Sequence, residues 1–274
     1  MKTLYISDLD GTLLNENALL SEYTETQLNA LIDKGLQFSV ATARTSATVA
    51  KMLSNVNISV PIVLMNGVAV YDMKSKSYIS AETISQNGKA VLFRAIKDHI
   101  KSGFIYCIDN NELSTYYENT DSPNAVAFIR EREKVYGKKF TKVNSFSDCA
   151  DCNIVYYSIN DEKEKLEEAY NVISQCPDLH AEFYRDIYNT DHWYLEVCSC
   201  KASKKNAVMT LKALFGFDRV ISFGDNLNDI PMFEASDEAY AVANAKEEVK
   251  KAATGIIGSN KDNGVVNFIK ETIL

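Results

Sequence analysis

Two aspartates separated by one residue follow a short apolar segment near the start of the sequence. The run 3–6 predicts a buried strand, and Asp8 and Asp10 come directly after it. Because alternate side chains of an extended segment point the same way, we expect both carboxylates on one side, with Gly11 turning the backbone beneath them. Carboxylates that close together raise each other's proton affinity unless a cation lies between them, and a hard divalent cation is the usual partner.

Three interpretations of this stretch compete. Aspartate and glycine form turns readily, so an acidic turn after a strand is the simplest one. A calcium loop of the EF-hand type does not fit, because Leu13 and Leu19 stand where that loop requires glycine and glutamate. The third interpretation, a nucleophile for phosphoryl transfer, depends on the rest of the chain.

A second acidic turn follows another apolar run, 219–223. Asp225 and Asp229 are four residues apart there, and a carboxylate at the start of the next helix is favoured by the helix dipole or as an N-cap. Taken with the first turn, four carboxylates at the ends of two strands would repel one another without a cation. The sequence therefore predicts Mg²⁺, held by Asp8, Asp10, Asp225 and Asp229.

The elements between these turns alternate in type. The pattern predicts helices over 21–34 and 46–53 and strands over 36–41 and 62–65. Such alternation is typical of an α/β fold with a Rossmann-like parallel sheet and helices on both faces. Ligands of these sheets bind beyond the carboxyl ends of the strands, where Thr42 and Asn66 also fall.

The middle of the chain has a different character. It is rich in tyrosine and predicts an inserted α+β domain over 83–188, so that 1–82 and 189–274 form the core. We expect the parallel sheet to resume with a strand over 193–197 and to continue with a helix over 203–215.

The composition limits the classes of partner. A net charge of −8 argues against nucleic acid and against an anionic membrane. No apolar run reaches membrane-spanning length and no signal-peptide pattern is present, so we expect a cytoplasmic protein, a monomer or weak homodimer.

Six cysteines in a chain of 274 residues indicate reduced thiols more than a disulfide framework. Cys149 with Cys152 and Cys198 with Cys200 make a possible four-thiolate zinc set. Buried thiols without a metal are the favoured interpretation, because neither pair lies in a glycine-rich knuckle.

Together these motifs resemble the haloacid dehalogenase-like superfamily of phosphatases, and in particular its Cof-like branch. The resemblance covers both ends of the chain. Its motifs are the sequence 8–12, Thr42 in 41–44, Lys204 after Ser203, and the sequence 224–229, with further similar stretches at 66–67, 243–245 and 260–265. Lys205 departs from the branch, which usually has glycine there, and this leaves Lys201 and Lys205 as alternatives to Lys204.

The resemblance implies a mechanism. Asp8 would attack phosphorus to form an aspartyl-phosphate, and Asp10 would protonate the leaving alcohol. Mg²⁺ would be held by Asp8, the Asp10 carbonyl and Asp225, with Asp229 as a further ligand or a support. Lys204 would bind phosphate and orient Asp8. The implied substrate-binding residues are Thr42, Arg44, Asn66, Gly67, Lys204 and Asn228, with a surface salt bridge as the alternative role for Arg44.

The function predicted in this way is a Mg²⁺-dependent phosphatase of small phosphorylated metabolites, such as sugar phosphates, with the inserted domain as a specificity cap. Two alternatives remain open. A phosphomutase would pass the same aspartyl-phosphate to a sugar hydroxyl, and a non-catalytic protein would bind a phosphorylated metabolite without turnover.

Overall fold

The computed structural model describes residues 1–100, 102–120, 123–186 and 189–273. Its strands are β1 Thr3–Ser7, β2 Gln37–Val40, β3 Ile62–Leu64, β4 Ala69–Asp72, β5 Ser77–Ala81, β6 Phe104–Asp109, β7 Glu112–Tyr117, β8 Phe140–Lys142, β9 Ile154–Glu162, β10 Leu179–Arg185, β11 His192–Ser199, β12 Arg219–Gly224, β13 Glu238–Val242 and β14 Gly255–Ile257. Its helices are α1 Glu22–Asp33, α2 Ser46–Met52, α3 Gln86–Ala95, α4 Pro123–Tyr136, α5 Lys163–Ile173, α6 Lys204–Phe215, α7 Ile230–Glu234, α8 Glu247–Ala252 and α9 Gly264–Ile273.

The chain divides into two compact units. Unit 1 comprises Met1–Ser80 and Ser203–Leu274, and unit 2 comprises Ala81–Ala202. Within the described ranges, none of the helices combines the length and the apolar character that a membrane span requires.

Unit 1 is built on a parallel sheet with the strand order β14-β13-β12-β1-β2. The chain leaves β1 for β2 on one side and returns to β12 on the other, so the strand order reverses between β1 and β12. Ligands of such sheets bind at the carboxyl ends of the strands beside this reversal. The predicted α/β class with a parallel core sheet is confirmed.

Local signals in the sequence account for the helices that flank this sheet. The side chain of Ser21 caps α1 by accepting the backbone N–H of Thr24 at 3.0 Å, and Leu28 and Leu31 are buried on its inner face. Ser203 caps α6 in the same way through the N–H of Asn206. These capped helices fix the directions in which the chain enters the site.

The predicted third strand, β3, joins the parallel sheet less fully than expected. A single parallel bridge connects Val63 to Ala41. On its other side β3 pairs antiparallel with β4, in a small sheet of the order β3-β4-β5. Because β3 has only three residues, it makes a short contact with the main sheet rather than a full ladder.

Unit 2 contains a second sheet with the order β10-β11-β9-β6-β7-β8. The prediction that the parallel sheet resumes over 193–197 is wrong, because this segment lies in β11, which pairs antiparallel with β9 and β10. Leu195 and Val197 are buried, whereas Tyr194 and Glu196 are half-buried. Such alternation is typical of an antiparallel sheet with one covered face.

The core of unit 2 consists of apolar side chains from its sheet together with α3 and α5, among them Leu92, Ile105 and Leu166. Cys107 and Cys149 are buried in the same cluster. The four-thiolate set, which was the less favoured interpretation of the sequence, does not come together. Among the described residues, the cysteines grouped within ligating distance are Cys107 and Cys152, and neither Cys198 nor Cys200 joins them.

One carboxyl of this sheet makes the stability of the protein depend on pH. Burial raises the pKa of Glu196 to about 7, although Tyr156 and Tyr184 donate hydrogen bonds to it. Below pH 4.5 both the folded and unfolded chains hold this proton. As the pH rises toward 7 only the unfolded chain releases it readily, so ionisation of Glu196 lowers the free energy of unfolding.

Glu196→Gln should therefore stabilise the protein increasingly between pH 4.5 and 7, by about 2–3 kcal/mol at the upper end. Urea unfolding of both proteins across this range measures the difference. Glu112→Gln, at an exposed position of the same sheet, is the matched control and should show no such gain. A constant difference between Glu196→Gln and wild type at all pH values would contradict the prediction.

Candidate active site

Asp8 lies at the carboxyl end of β1, beside the reversal of strand order. Its backbone N–H donates to the carbonyl of Phe223 on β12 at 2.9 Å, so the first acidic turn is fastened to the strand that leads into the second. The side chain of Asp8 is buried, with only 9% of its surface exposed. The strand geometry thus places a carboxylate at the edge where α/β sheets bind ligands.

Three carboxylates from the two turns meet at this point. Asp8, Asp225 and Asp229 each offer an oxygen, and these oxygens lie within 4.8 Å of one another. The backbone of Gly11 packs against the cluster at φ +78°, where a Cβ atom would lie 2.4 Å from the Oδ2 of Asp225. Only glycine fits this position. Three carboxylate oxygens in a small space fit a hard divalent cation such as Mg²⁺.

Lys204 supplies a positive charge to the same cluster. Its Nζ donates to Oδ1 of Asp8 at 2.5 Å and to Oδ1 of Asp229 at 2.7 Å, and its side chain is 1% exposed. Burial alone would lower the pKa of Lys204, but the two carboxylates outweigh burial and raise it. The ammonium group is therefore held charged between them.

The two neighbouring lysines do not take this place. Lys205 points outward and pairs with Glu234 at 3.0 Å, and Lys201 lies before α6 in an exposed turn. Because Ser203 caps α6, the first helical residue, Lys204, is directed into the cluster. Of the three lysines named from the sequence, Lys204 is the one in contact with Asp8.

The electrostatics of the cluster are those of a site short of positive charge. Burial raises the pKa of Asp8 well above its usual range, Lys204 opposes this, and Asp229 adds to it. Burial likewise raises the pKa of Asp225 to about 6, while a hydrogen bond from Thr12 at 2.8 Å opposes the shift. A bound cation would favour the ionised forms of both carboxyls.

Asp229 also stabilises the turn that carries Asp225. Its Oδ2 accepts the backbone N–H groups of Asp225 and Asn226 at 2.9 and 3.0 Å, and Asn226 forms a capping box with it. Asp229 therefore acts as an N-capping residue of this turn and is also a member of the carboxylate cluster. Through these bonds Asp229 fixes both Lys204 and the backbone that carries Asp225.

The expectation that the side chains of Asp10 and Asp8 lie on the same side is wrong. Its two oxygens accept hydrogen bonds from Nε and Nη2 of Arg44 at 2.7 and 2.6 Å, and its side chain is 47% exposed. Asp10 belongs to the turn Leu9–Leu13, beyond the end of β1, so the alternation of an extended strand no longer applies to it. The salt-bridge role considered for Arg44 is present, with Asp10 as its partner.

The remaining predicted site residues lie just after β2 and β3, apart from Asn228, which lies in the turn after β12. Thr42 is buried, and its Oγ1 accepts the N–H of Arg44 at 3.2 Å. Asn66 has a left-handed backbone with φ 54°, and its side-chain oxygen accepts from Nδ2 of Asn228 at 3.2 Å. Gly67 lies against the start of α6, where a Cβ atom would lie 2.1 Å from the carbonyl of Ser203. This close packing ties the end of β3 to the helix that carries Lys204.

Three residues that support the site were not assigned a role from the sequence. Thr12 donates to Asp225, Asn244 donates to the carbonyl of Gly11 at 2.8 Å, and Asn260 donates to the carbonyl of Leu14 at 2.9 Å. All three connect the first acidic turn to the carboxyl-terminal part of unit 1. All three lie in stretches that resemble the family, but a single sequence does not show which groups their side chains bind.

Comparison with known proteins identifies the family. A family model described as haloacid dehalogenase-like hydrolase matches residues 5–269. The chain belongs to this family. It is 27% identical to the phosphatase YwpJ of Bacillus subtilis, with 100% of both chains covered. It is 24% identical to the pyridoxal phosphate phosphatase YbhA of Escherichia coli, with 96% of this chain and 95% of that one covered.

A haloacid dehalogenase-like hydrolase from Bacteroides thetaiotaomicron has the same fold. Its crystal structure matches with a TM-score of 0.79 at 22% identity, and all of both chains is covered. The family resemblance inferred from the motifs is confirmed, and the family and its phosphatases support a phosphoric monoester hydrolase.

Proposed function

We propose that this haloacid dehalogenase-like hydrolase is a Mg²⁺-dependent phosphatase that hydrolyses small phosphorylated metabolites through an aspartyl-phosphate. The observation that carries the proposal is the contact between Lys204 and Asp8 beside Asp225. It supplies a nucleophile, a fixed positive charge and oxygen ligands within one small space. These are the groups that phosphoryl transfer needs, since its acceleration comes mainly from positioning and charge stabilisation.

Asp8 acts as the nucleophile in this proposal. One carboxylate oxygen bonds to phosphorus while the bond from phosphorus to the ester oxygen breaks, and the leaving alcohol takes a proton from Asp10. A water molecule then gives that proton back to Asp10 as it attacks phosphorus, which releases phosphate and restores Asp8. Lys204 holds Asp8 in place throughout, because its ammonium group is itself held by Asp229.

Asp10 must leave Arg44 to carry out this role. Both of its oxygens accept hydrogen bonds from the guanidinium group, and a leaving alcohol needs one of them. A substrate phosphate offers Arg44 a replacement acceptor of the same bidentate geometry. We propose that the exchange of Arg44 from Asp10 to phosphate frees the general acid when substrate is bound.

The residues fit Mg²⁺ as the resident metal. Asp8, Asp225 and the backbone carbonyl of Asp10 would hold it, and Asp229 would contribute an oxygen or support the other ligands. When bound, the metal offsets the repulsion between the Asp8 carboxylate and a phosphate dianion. Thr42, Asn66, Gly67 and Asn228 would bind the phosphate oxygens with Lys204, since they lie at the same ends of the strands.

Unit 2 would then act as the cap that selects the leaving group, and the substrate is a small phosphorylated metabolite such as a sugar phosphate. The phosphatase of pyridoxal phosphate among the relatives supports this class. A cytoplasmic location accords with six free thiols.

Removal of the metal tests the proposal. Hydrolysis of p-nitrophenyl phosphate should fall by at least about 100-fold after treatment with EDTA, because the metal offsets several kcal/mol of charge repulsion. Excess Mg²⁺ should restore the rate, and excess Ca²⁺ should restore it poorly, because its coordination is larger and more flexible. Turnover that persists undiminished in EDTA would refute the metal dependence.

A further inference from the structure

We propose that unit 2 contains a second metal site, a thiolate site for Zn²⁺ or a cation of similar softness. Its ligands are Cys107, Asp109 and Cys152, which leave the fourth position of a tetrahedral ion to water. One ligating atom from each of the three lies within 4.8 Å of the others.

Two ligands come from one strand. Cys107 and Asp109 are two residues apart on β6, so their side chains extend to the same face. The ladder between β6 and β9 shifts its register between Tyr106 and Cys107. An irregularity of this kind redirects a side chain, and it lies at the position where Cys107 meets Cys152.

The third ligand, Cys152, comes from a tight turn. The N–H of Cys152 donates to the carbonyl of Cys149 at 3.0 Å, which brings the two ends of the Cys-x-x-Cys segment together. Lys89, only 6% exposed, donates from Nζ to the carbonyls of Ala150 and Cys152 at 2.9 and 2.6 Å. Lys89, on α3, thus fixes the turn. Its buried ammonium group also lies close to the ligands, which become anionic when the thiols lose their protons.

The dimensions and the chemistry fit zinc. Ligand atoms about 2.3 Å (sulfur) and 2.1 Å (oxygen) from a tetrahedral zinc are about 3.6–3.8 Å from one another, which lies within the observed limit. Thiolates select zinc-like metals over Mg²⁺. Oδ1 of Asp109 accepts two hydrogen bonds from Asn153, at 2.8 and 3.2 Å, and ligating carboxylates are usually oriented by such bonds.

The site is accessible to a metal and would stabilise the unit. Cys107 and Cys149 are buried, whereas Cys152 and Asp109 are partly exposed and provide a path of entry. Each thiol releases its proton when the cation binds. The bound cation would tie β6 to the turn that precedes β9, two segments far apart in the sequence.

Cobalt substitution tests the proposal on the full chain. The protein is reduced, stripped of metal with a chelator and titrated with Co²⁺ in the absence of oxygen. A tetrahedral thiolate site gives an intense sulfur-to-cobalt charge-transfer band in the near ultraviolet that saturates at one equivalent, and Zn²⁺ then removes it. The carboxylates around Asp8 supply only oxygen and give no such band, so the result is independent of the phosphatase proposal.

Variants identify the ligands. Cys152→Ser should lower the charge-transfer intensity per bound cobalt by roughly one half, since one of two thiolates is lost. Asp109→Asn should keep the intensity and weaken the affinity by at least about 10–100-fold, because even the loss of a partner that only orients a ligand costs that much. Cys200→Ser, at an exposed cysteine outside the cluster, is the control and should match wild type.

Three results would overturn the proposal. The first is the absence of the band in protein whose six thiols are shown to be reduced by titration in denaturant. The second is a band that Cys200→Ser weakens as much as Cys152→Ser does. A mass loss of two hydrogens in air without any cobalt band would instead indicate a disulfide between neighbouring thiols and would also refute the metal site.

Discussion

Asp8→Asn should lower kcat on a phosphate monoester by at least about 10³-fold, which corresponds to about 4 kcal/mol of transition-state stabilisation. The amide of asparagine keeps the shape of the side chain but is a very weak nucleophile, so no covalent phosphoryl-enzyme forms. Acid-quenched protein should carry phosphate on the peptide that contains Asp8 in the wild type and none in the variant. Steady-state kinetics and peptide mass spectrometry measure the two effects.

The same substitution should not unfold the protein. Burial raises the pKa of Asp8, so the ionised side chain is costly in a cluster with Asp225 and Asp229, and a neutral amide relieves this repulsion. In EDTA the melting temperature of Asp8→Asn should be at least that of the wild type. Added Mg²⁺ should stabilise the wild type more than the variant, since stabilisation follows affinity for the folded state.

Asp33→Asn, at an exposed position near the end of α1, serves as the matched control and should change neither rate nor stability. A variant of Asp8 that retains a tenth or more of the wild-type rate would show that a different group attacks phosphorus. If the variant loses activity because it unfolds, its melting temperature in EDTA decides the question. A melting temperature far below that of the wild type would contradict the electrostatic account of the cluster.

The carboxylate cluster was largely predictable from the sequence. The strands that end just before Asp8 and Asp225 are predicted from their buried apolar runs, and parallel strands place their carboxyl ends together. What could not be predicted was the orientation of side chains beyond the last strand residue. Asp10 lies in a turn whose dihedral angles follow from Gly11 and from contacts with the carboxyl-terminal part of the chain, so the alternation rule stops at β1.

Unit 2 shows a second limit. The segment of β11 has an apolar alternation that fits a strand in either type of sheet, and only its partners decide that it runs antiparallel. The cysteines show the same difficulty. The spacing of Cys149 and Cys152 was visible, but Cys107 is more than forty residues earlier in the sequence, and no local pattern connects it to them. Contacts between distant segments are fixed by tertiary packing, which a single sequence does not display.

Lys204→Met should reduce both the stability and the rate. Methionine fills a similar volume but leaves Asp8 and Asp229 buried without their shared cation. Loss of one partner from a buried ion pair typically costs about 3–5 kcal/mol, and loss of a charge aligned with the transferring phosphoryl group costs about 10²–10³ in kcat. Urea unfolding at pH 7 and steady-state kinetics measure the two effects separately.

Lys205→Met is the matched control, because Lys205 is adjacent in sequence but exposed and paired with Glu234. A surface pair contributes at most about 1 kcal/mol, so this variant should resemble the wild type in both measurements. Equal effects of the two substitutions would mean that the helix, rather than the ammonium group, is what the site requires.

The pH dependence of Lys204→Met separates charge from packing. Without the lysine, nothing opposes the burial and the neighbouring carboxylates that raise the pKa of Asp8 in the folded state. A carboxyl group whose pKa is raised in the folded state makes the protein less stable as the pH rises toward that pKa. The protein regains this stability when the pH falls and the group is protonated in both states. The stability difference between wild type and Lys204→Met should therefore shrink as the pH falls from 7 to 5. A difference that stays constant over this range would instead indicate a packing defect around α6.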